Sequence, residues 1–206
     1  MILDHALFLD DQIVVINKPS GLLSVPGLHN KDSAYGRLAA ELGELHIVHR
    51  LDRDTSGIIV YARNKAALTF IQQQFEKQTT RKVYESLVNG IVKGNQGCIN
   101  MPIIVDWPNR PLQKISHTEG RYALTRWRKL GVENGNTRVE LYPKTGRSHQ
   151  LRLHMQQIGH PMVGDPFYSR NYDEQKTPIM CLHARELDFT HPTTGERMAF
   201  VCPPPF

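Results

Sequence analysis

Between residues 83 and 142 the sequence sets down one strand-like segment after another, with no helical period between them. VYESLVNG (83–90) alternates Val83, Glu85 and Leu87 against Tyr84, Ser86 and Val88, the two-residue period of a strand. Further strands are expected at 97–105, 121–130 and 137–142, and earlier at DQIVVIN (11–17), HIV (46–48) and GIIVYA (57–62). Strands that follow one another without intervening helices favour an α+β domain over a doubly wound βαβ fold. The expectation is an α+β domain, a mixed and mainly antiparallel sheet with helices packed on it.

Three helices fit the remaining patterns. Residues 33–42 form a short one behind Asp32 or Ser33 as cap, and NKAALTFIQQQFEKQ (64–78) starts at Asn64 with Leu68, Ile71 and Phe75 as its apolar stripe. SHQLRLHMQQIG (148–159) is expected to start at Ser148, bury Leu151, Met155 and Ile158, and stop at Gly159. KPSGLLSVPG (18–27) reads as a turn-rich loop. With no repeat, low-complexity stretch or long linker, residues 1–206 read as a single domain.

Composition narrows the class. Of 206 residues, 40% are hydrophobic and 22% charged, the balance of a globular chain. No apolar run is long enough to span a membrane, and MILDHALFLDDQ has aspartates where a secretory signal has basic residues, so a cytoplasmic protein is expected. Three scattered cysteines, Cys98, Cys181 and Cys202, suit a reducing compartment. A net charge of +5 permits a polyanionic partner without requiring one.

HRLDRDTSG (49–57) interrupts two apolar runs, HIVH and GIIVYA, with a histidine, two arginines and two aspartates. Asp52, Asp54, Ser56 and Gly57 match early positions of a calcium loop, but the bidentate glutamate that should close it is Arg63. A kinase catalytic loop requires HRD, a glycine-rich loop before it and DFG after it, and none is present. A D-x-D phosphatase site needs further carboxylates downstream, where no convincing acidic cluster stands. A plain solvated turn remains the commonest reading of such a stretch. Against it stand the buried character of the flanking strands and TGRSHQLRLH (145–154), equally dense in arginine and histidine. His149 and His154, five residues apart, do not make a helical zinc pair.

HRLDRDTSG resembles the aspartate-bearing motif of the RluA family of pseudouridine synthases, HRLDxxTSG. NKPSGLLSVPG (17–27), the lysine-x-tyrosine of RKVYESLVNG (81–90), TGRSHQLRLHM (145–155) and GHPMVGDPFY (159–168) are similar to the family's other signatures, in the same order. DWPNRP (106–111) is similar to a loop in a member that lacks the S4 RNA-binding module, and no such module is expected here.

The resemblance implies a pseudouridine synthase catalytic domain with a central cleft, acting as a monomer on RNA. It implies loops of 23S rRNA and the tRNA anticodon stem-loop as substrates. The reaction cuts the bond from ribose to N1 of uracil, turns the base and rejoins it through C5, so neither cofactor nor metal is called for. Asp52 matches the essential carboxylate, Arg152 its counter-ion, Arg50 the arginine that fills the space of the flipped base, and Tyr84 the aromatic stacked on it. On a helix His149, Arg152 and Gln156 share a face away from the Leu151 stripe, which would aim Arg152 into a cleft. Arg147 is a second candidate counter-ion or phosphate contact, and Trp107, Arg110, Lys114 and Lys18 are candidate substrate contacts.

Taken singly, these residues are ordinary: Tyr84 a core aromatic, Arg50 a surface charge, Lys18 an exposed loop lysine. His49 is expected to hold the loop by a hydrogen bond, Asp54 to stabilise it or face water, and Thr55, Ser56 and Gly57 to shape its turn. Arg126 and Arg128 alternate on a strand and give it one basic face. The alternatives are a non-catalytic RNA-binding protein and a metal-dependent phosphohydrolase using Asp52 and Asp54.

Overall fold

A computed structural model describes residues 1–169 and 178–206. Its strands are β1 (Ala6–Leu9), β2 (Ile13–Lys18), β3 (His46–Ile47), β4 (Ser56–Ala62), β5 (Arg81–Val88), β6 (Gln96–Asn100), β7 (Ile103–Val105), β8 (Gln113–Ile115), β9 (Leu124–Glu133), β10 (Asn136–Pro143), β11 (Leu182–Thr190) and β12 (Arg197–Val201). The helices are α1 (Ala34–Leu42), α2 (Lys65–Glu76) and α3 (Gln150–Gln157). The α+β expectation holds: among the described residues one strand pairing within the units is parallel and the others are antiparallel. Among the described residues no helix is long and apolar enough to cross a membrane.

Contacts group the chain into two compact units, Met1–Lys82 with His183–Pro205, and Val83–Leu182 with Phe206. In the first, β4 is the central strand and is buried along its whole length. It pairs antiparallel with β2 and β3 and parallel with β11, while β1 flanks β2 and β12 flanks β11. The α2 stripe closes over this sheet: Ala67 and Ile71 are buried with Ile13, Val15, Ile58, Val60 and Phe189, and Leu68 and Phe75 pack at the margin. Asn64 caps α2 by accepting the Ala67 amide at 2.8 Å, and Ser33 caps α1 by accepting that of Gly36 at 3.0 Å.

In the second unit the strand order is β5-β10-β9-β6. Asn134 and Gly135, with φ of 49° and 78°, make the two-residue turn from β9 to β10, the conformation for which an Asn-Gly pair is favoured. Leu151 and Met155 of α3 pack with Val139 and Leu141 of β10 and Trp127 of β9. β7 and β8 form a separate hairpin whose Ile103 and Ile115 pack with Leu153 and Tyr168.

Candidate active site

The HRLDRDTSG loop joins β3 to β4, and its backbone is not left to water. Lys18, the last residue of β2, has no exposed surface. Its ammonium donates to the carbonyls of Pro19 at 2.9 Å, Leu22 at 2.7 Å and Arg53 at 3.0 Å. The Gly21 amide donates to the same Arg53 carbonyl at 3.0 Å. Ser24 Oγ donates to the Leu51 carbonyl at 2.7 Å and accepts the Leu51 amide at 3.0 Å, while Ser20 Oγ donates to the Asp54 carbonyl at 2.8 Å. The NKPSGLLSVPG segment therefore braces the carbonyls on both sides of Asp52. Within the loop, the Thr55 amide closes a turn onto the Asp52 carbonyl at 3.2 Å. Asp52 is half-buried and Arg50 exposed.

Lys18 corrects the expectation of an exposed loop lysine. Burial pushes its ammonium down to about 7, against the upward pull of Asp54 and Asp52. Only the charged form carries three N–H groups for three carbonyls. Its three bonds give the loop structural support.

Other loop residues settle into definite roles. Asp54 is paired with Arg53, Nε to Oδ1 at 2.8 Å and Nη2 to Oδ2 at 3.3 Å. Ser56 does not shape the turn through its hydroxyl, which instead bonds His183 Nδ1 on β11 at 2.8 Å. Gly57 is required by a close approach: its φ is 110°, and a Cβ there would lie 2.4 Å from the Ala184 carbonyl oxygen.

His49 holds the loop as expected, accepting the Val60 amide at Nε2 (3.3 Å) and stacking on Phe75 with ring centroids 4.8 Å apart. Burial, with the charge of Lys82 adding to it, pushes the ring down to about 3. An unfolded histidine takes up a proton below about pH 6.5 while the folded one stays neutral. The stabilisation is thus fully present above that pH and is lost as pH falls toward 3. Urea titrations should show wild type losing roughly 1 kcal/mol per pH unit below about pH 6 beyond any loss in His49→Gln, which keeps an acceptor but does not titrate. Equal slopes in the two proteins would contradict this.

In the second unit, Tyr84 stands opposite Leu141 in the β5–β10 ladder, on the face that carries Val139 and Val88, and packs partly against that core. Its neighbour Glu85 points to the other face and accepts from Arg138 at 2.7 Å, the separation its strand pattern predicts. Arg128 is committed to Glu140 at 2.9 Å through Nε, so the face it shares with Arg126 is not simply basic.

Helix α3 starts differently from the expectation. Ser148 is not its cap; His149 precedes the helix in the left-handed region, with φ of 54° and ψ of 16°. Gln150 does the organising work from inside. It accepts from Thr145 Oγ1 at 2.7 Å and the Arg147 amide at 3.1 Å, and donates to the Leu124 carbonyl at 3.1 Å and Thr125 Oγ1 at 3.0 Å. His154, fully buried, bonds Thr125 Oγ1 and the Met101 carbonyl, both at 2.9 Å. Gln150 and His154 of TGRSHQLRLH thus serve the interior, and Arg147 is anchored through Nε to the Tyr122 carbonyl at 3.0 Å.

Arg152 is 1% exposed, and its guanidinium meets Asp165 in a fork, Nε to Oδ2 and Nη2 to Oδ1 at 2.8 Å each. Asp165 Oδ1 also accepts the amides of Phe167 at 2.8 Å and Tyr168 at 3.1 Å. The rings of these two residues lie 5.1 and 5.4 Å from the guanidinium carbon. Asp165 was absent from the sequence-derived candidates; the one signal for it was its place in GHPMVGDPFY. Breaking such a buried pair typically costs ~3–5 kcal/mol.

The β7–β8 hairpin presents Trp107, 62% exposed, with the Arg110 guanidinium 3.8 Å above its ring. Lys114 lies 3.7 Å from Asp106, which also accepts from Asn109 at 2.9 Å. Among the described residues no group of three or more His, Cys, Asp or Glu side chains is arranged to hold a metal.

The family profile described as RNA pseudouridylate synthase matches residues 12–157. The chain is 47% identical over 197 residues to the dual-specificity RNA pseudouridine synthase RluA of Haemophilus influenzae, covering 94% of this chain and 90% of that one. It is 48% identical over 200 residues to the protein of the same name from Pasteurella multocida (96% and 91%), and 44% identical over 203 residues to that of Escherichia coli K12 (97% and 93%). Among solved structures, human RNA pseudouridylate synthase domain containing 1 superposes with a TM-score of 0.79 at 27% identity, covering 98% of this chain and 83% of that one. Human RNA pseudouridylate synthase domain containing 4 does so at 0.77 and 26%, covering 99% and 90%. The chain belongs to the RNA pseudouridylate synthase family.

Proposed function

We propose that the chain converts specific uridines to pseudouridine in loops of 23S rRNA and in the tRNA anticodon stem-loop, as a cytoplasmic monomer with Asp52 as its essential carboxylate. The observation that carries the assignment to Asp52 is the bracing of its loop. A solvated turn leaves its carbonyls to water, whereas here buried Lys18 and Ser24 and half-buried Ser20 hold those of Arg53, Leu51 and Asp54. Such preorganisation fixes a reacting group before substrate arrives.

The reaction needs a carboxylate against ribose and base. Addition to the sugar and removal of a sugar proton both require it ionised. The uracil is turned so that C5 replaces N1 at the sugar; the C5 hydrogen leaves as a proton and N1 gains one, so no electrons enter or leave. Arg50, exposed beside Asp52, takes the space of the flipped nucleotide, Tyr84 stacks on the uracil, and Arg152 serves as counter-ion to the carboxylate. Flipping costs a few kcal/mol, and stacking on an aromatic returns about 1–3 kcal/mol per base.

The exposed Trp107–Arg110 pair suits an unpaired base of the substrate loop, with Lys114 and Arg147 on phosphate. Trp107→Ala is expected to weaken binding of a folded RNA loop by about tenfold to a hundredfold, as one lost stacking contact would, with the melting temperature unchanged. Unchanged affinity would remove the hairpin from RNA recognition. Dual specificity is tested by mapping pseudouridine, by mass spectrometry, in 23S rRNA and tRNA transcripts incubated separately with the protein. Modification of both is expected; modification of one alone would reduce the assignment to a single RNA class.

A further inference from the structure

We propose that Asp165 is a positioning residue for the isomerisation, acting through Arg152; the inference rests on the role given to Arg152 above. A lone buried arginine has several rotamers open to it and no reason to hold one. Here the fork to Asp165 fixes the plane and direction of the guanidinium, and the rings of Phe167 and Tyr168 lie within 5.5 Å of its carbon. The carboxylate is itself immobile, because Oδ1 also takes the Phe167 and Tyr168 amides in a tight turn. Asp165 has no exposed surface, so it meets neither RNA nor solvent.

The fork also divides the guanidinium. Asp165 takes Nε and one Nη2 hydrogen, and the guanidinium carries three more N–H groups beyond these two. Arginine is then needed here for its shape as well as its charge. A lysine would carry the charge without the planar, two-sided donor set. Tyr168 ties the same turn to its surroundings: its hydroxyl accepts the Gln113 amide of β8 and bonds His149 Nδ1, both at 2.9 Å. The turn 165–168 therefore fixes Arg152 directly and the residue that opens α3 as well.

The test uses the full chain and single-turnover rates on saturating RNA, with RNA affinity and melting temperature measured for every variant. Asp165→Asn keeps an oxygen for the two amides but loses the charge and half of the fork. It is expected to slow the reaction about tenfold to a hundredfold, as a displaced catalytic group does, while RNA affinity stays within about twofold. The double variant Asp165→Asn/Arg152→Gln should be no slower than Arg152→Gln alone. A folded Asp165→Asn protein at the wild-type rate, or a double variant in which the two losses multiply, would overturn the proposal. Should Arg152→Gln itself react at the wild-type rate, the role of Arg152 falls, and this inference with it. Should Asp165→Asn fail to fold, Arg152→Lys decides: a slowed reaction with normal RNA affinity supports the need for the fork, and a wild-type rate overturns it.

Discussion

Asp52→Asn is expected to give a folded, RNA-binding protein that forms no pseudouridine. The substitution changes the side chain by one polar atom and removes its charge. The groups that hold the loop act on backbone: Ser24 on Leu51, Lys18 on Arg53 and Ser20 on Asp54. Their bonds go to backbone carbonyls that Asn leaves in place, while the loss of the Asp52 charge weakens only the support it gives the Lys18 ammonium, so the protein should stay folded, within about 2 kcal/mol of wild type. An amide is neither nucleophile nor base, and loss of a group that acts on the reacting bond typically costs at least about four orders of magnitude. Mass spectrometry of RNA after single-turnover incubation reads the chemistry, and fluorescence anisotropy reads binding. Turnover within about tenfold of wild type would remove Asp52 from the reaction.

The second large effect is on the fold. Gly57→Ala places a methyl group 2.4 Å from the carbonyl oxygen and 2.6 Å from the amide nitrogen of Ala184, at a φ of 110° that side-chain-bearing residues rarely adopt. Backbone strain of this kind costs about 1–3 kcal/mol. The clash is with backbone, which cannot rotate away as a side chain would, and overpacking adds roughly 1–3 kcal/mol. A loss of about 3 kcal/mol or more is expected, a large part of the ~5–15 kcal/mol available to a typical domain. Urea denaturation measures it. A change under about 1 kcal/mol would mean that β4 and β11 part at little cost. The Ser56–His183 bond, whose residues are opposed in that parallel ladder, would then not be fixed by it.

Much of the architecture was legible because its signals are local. Asn64 and Ser33 cap the helices as read, since a cap is settled within three residues. Alternation in VYESLV placed Tyr84 and Glu85 on opposite faces correctly because strand period is a local property. β1, with four residues and an alternating, incompletely buried pattern, offered too short a run to register. No composition change marks the two units, because their borders fall inside β5 and β11, where strand sequence continues unbroken.

The site was legible as a set of motifs but not as a set of contacts. The family pattern led to Asp52, Arg50, Tyr84 and Arg152, yet nothing local indicated that Lys18 would be buried. Its position at the end of β2 follows from pairing with Gly57, 39 residues on. The start of α3 was misread for the same reason. Ser148 satisfies the local rule for a cap, while the His149 ring lies 5.7 Å from Phe167 and its Nδ1 2.9 Å from the Tyr168 hydroxyl, far along the chain. Asp165 escaped notice because an acidic residue in a proline-bearing turn looks solvated until its arginine is found beside it.

The most direct test is tritium release from RNA labelled at C5 of uridine, with a chelator present throughout and Asp52→Asn as control. Joining C5 to the sugar expels its hydrogen, so each pseudouridine formed frees one tritium. Release by wild type, undiminished by the chelator and absent from Asp52→Asn, is the predicted result. Tight RNA binding without release would contradict the account and leave a protein that holds RNA and does not act on it.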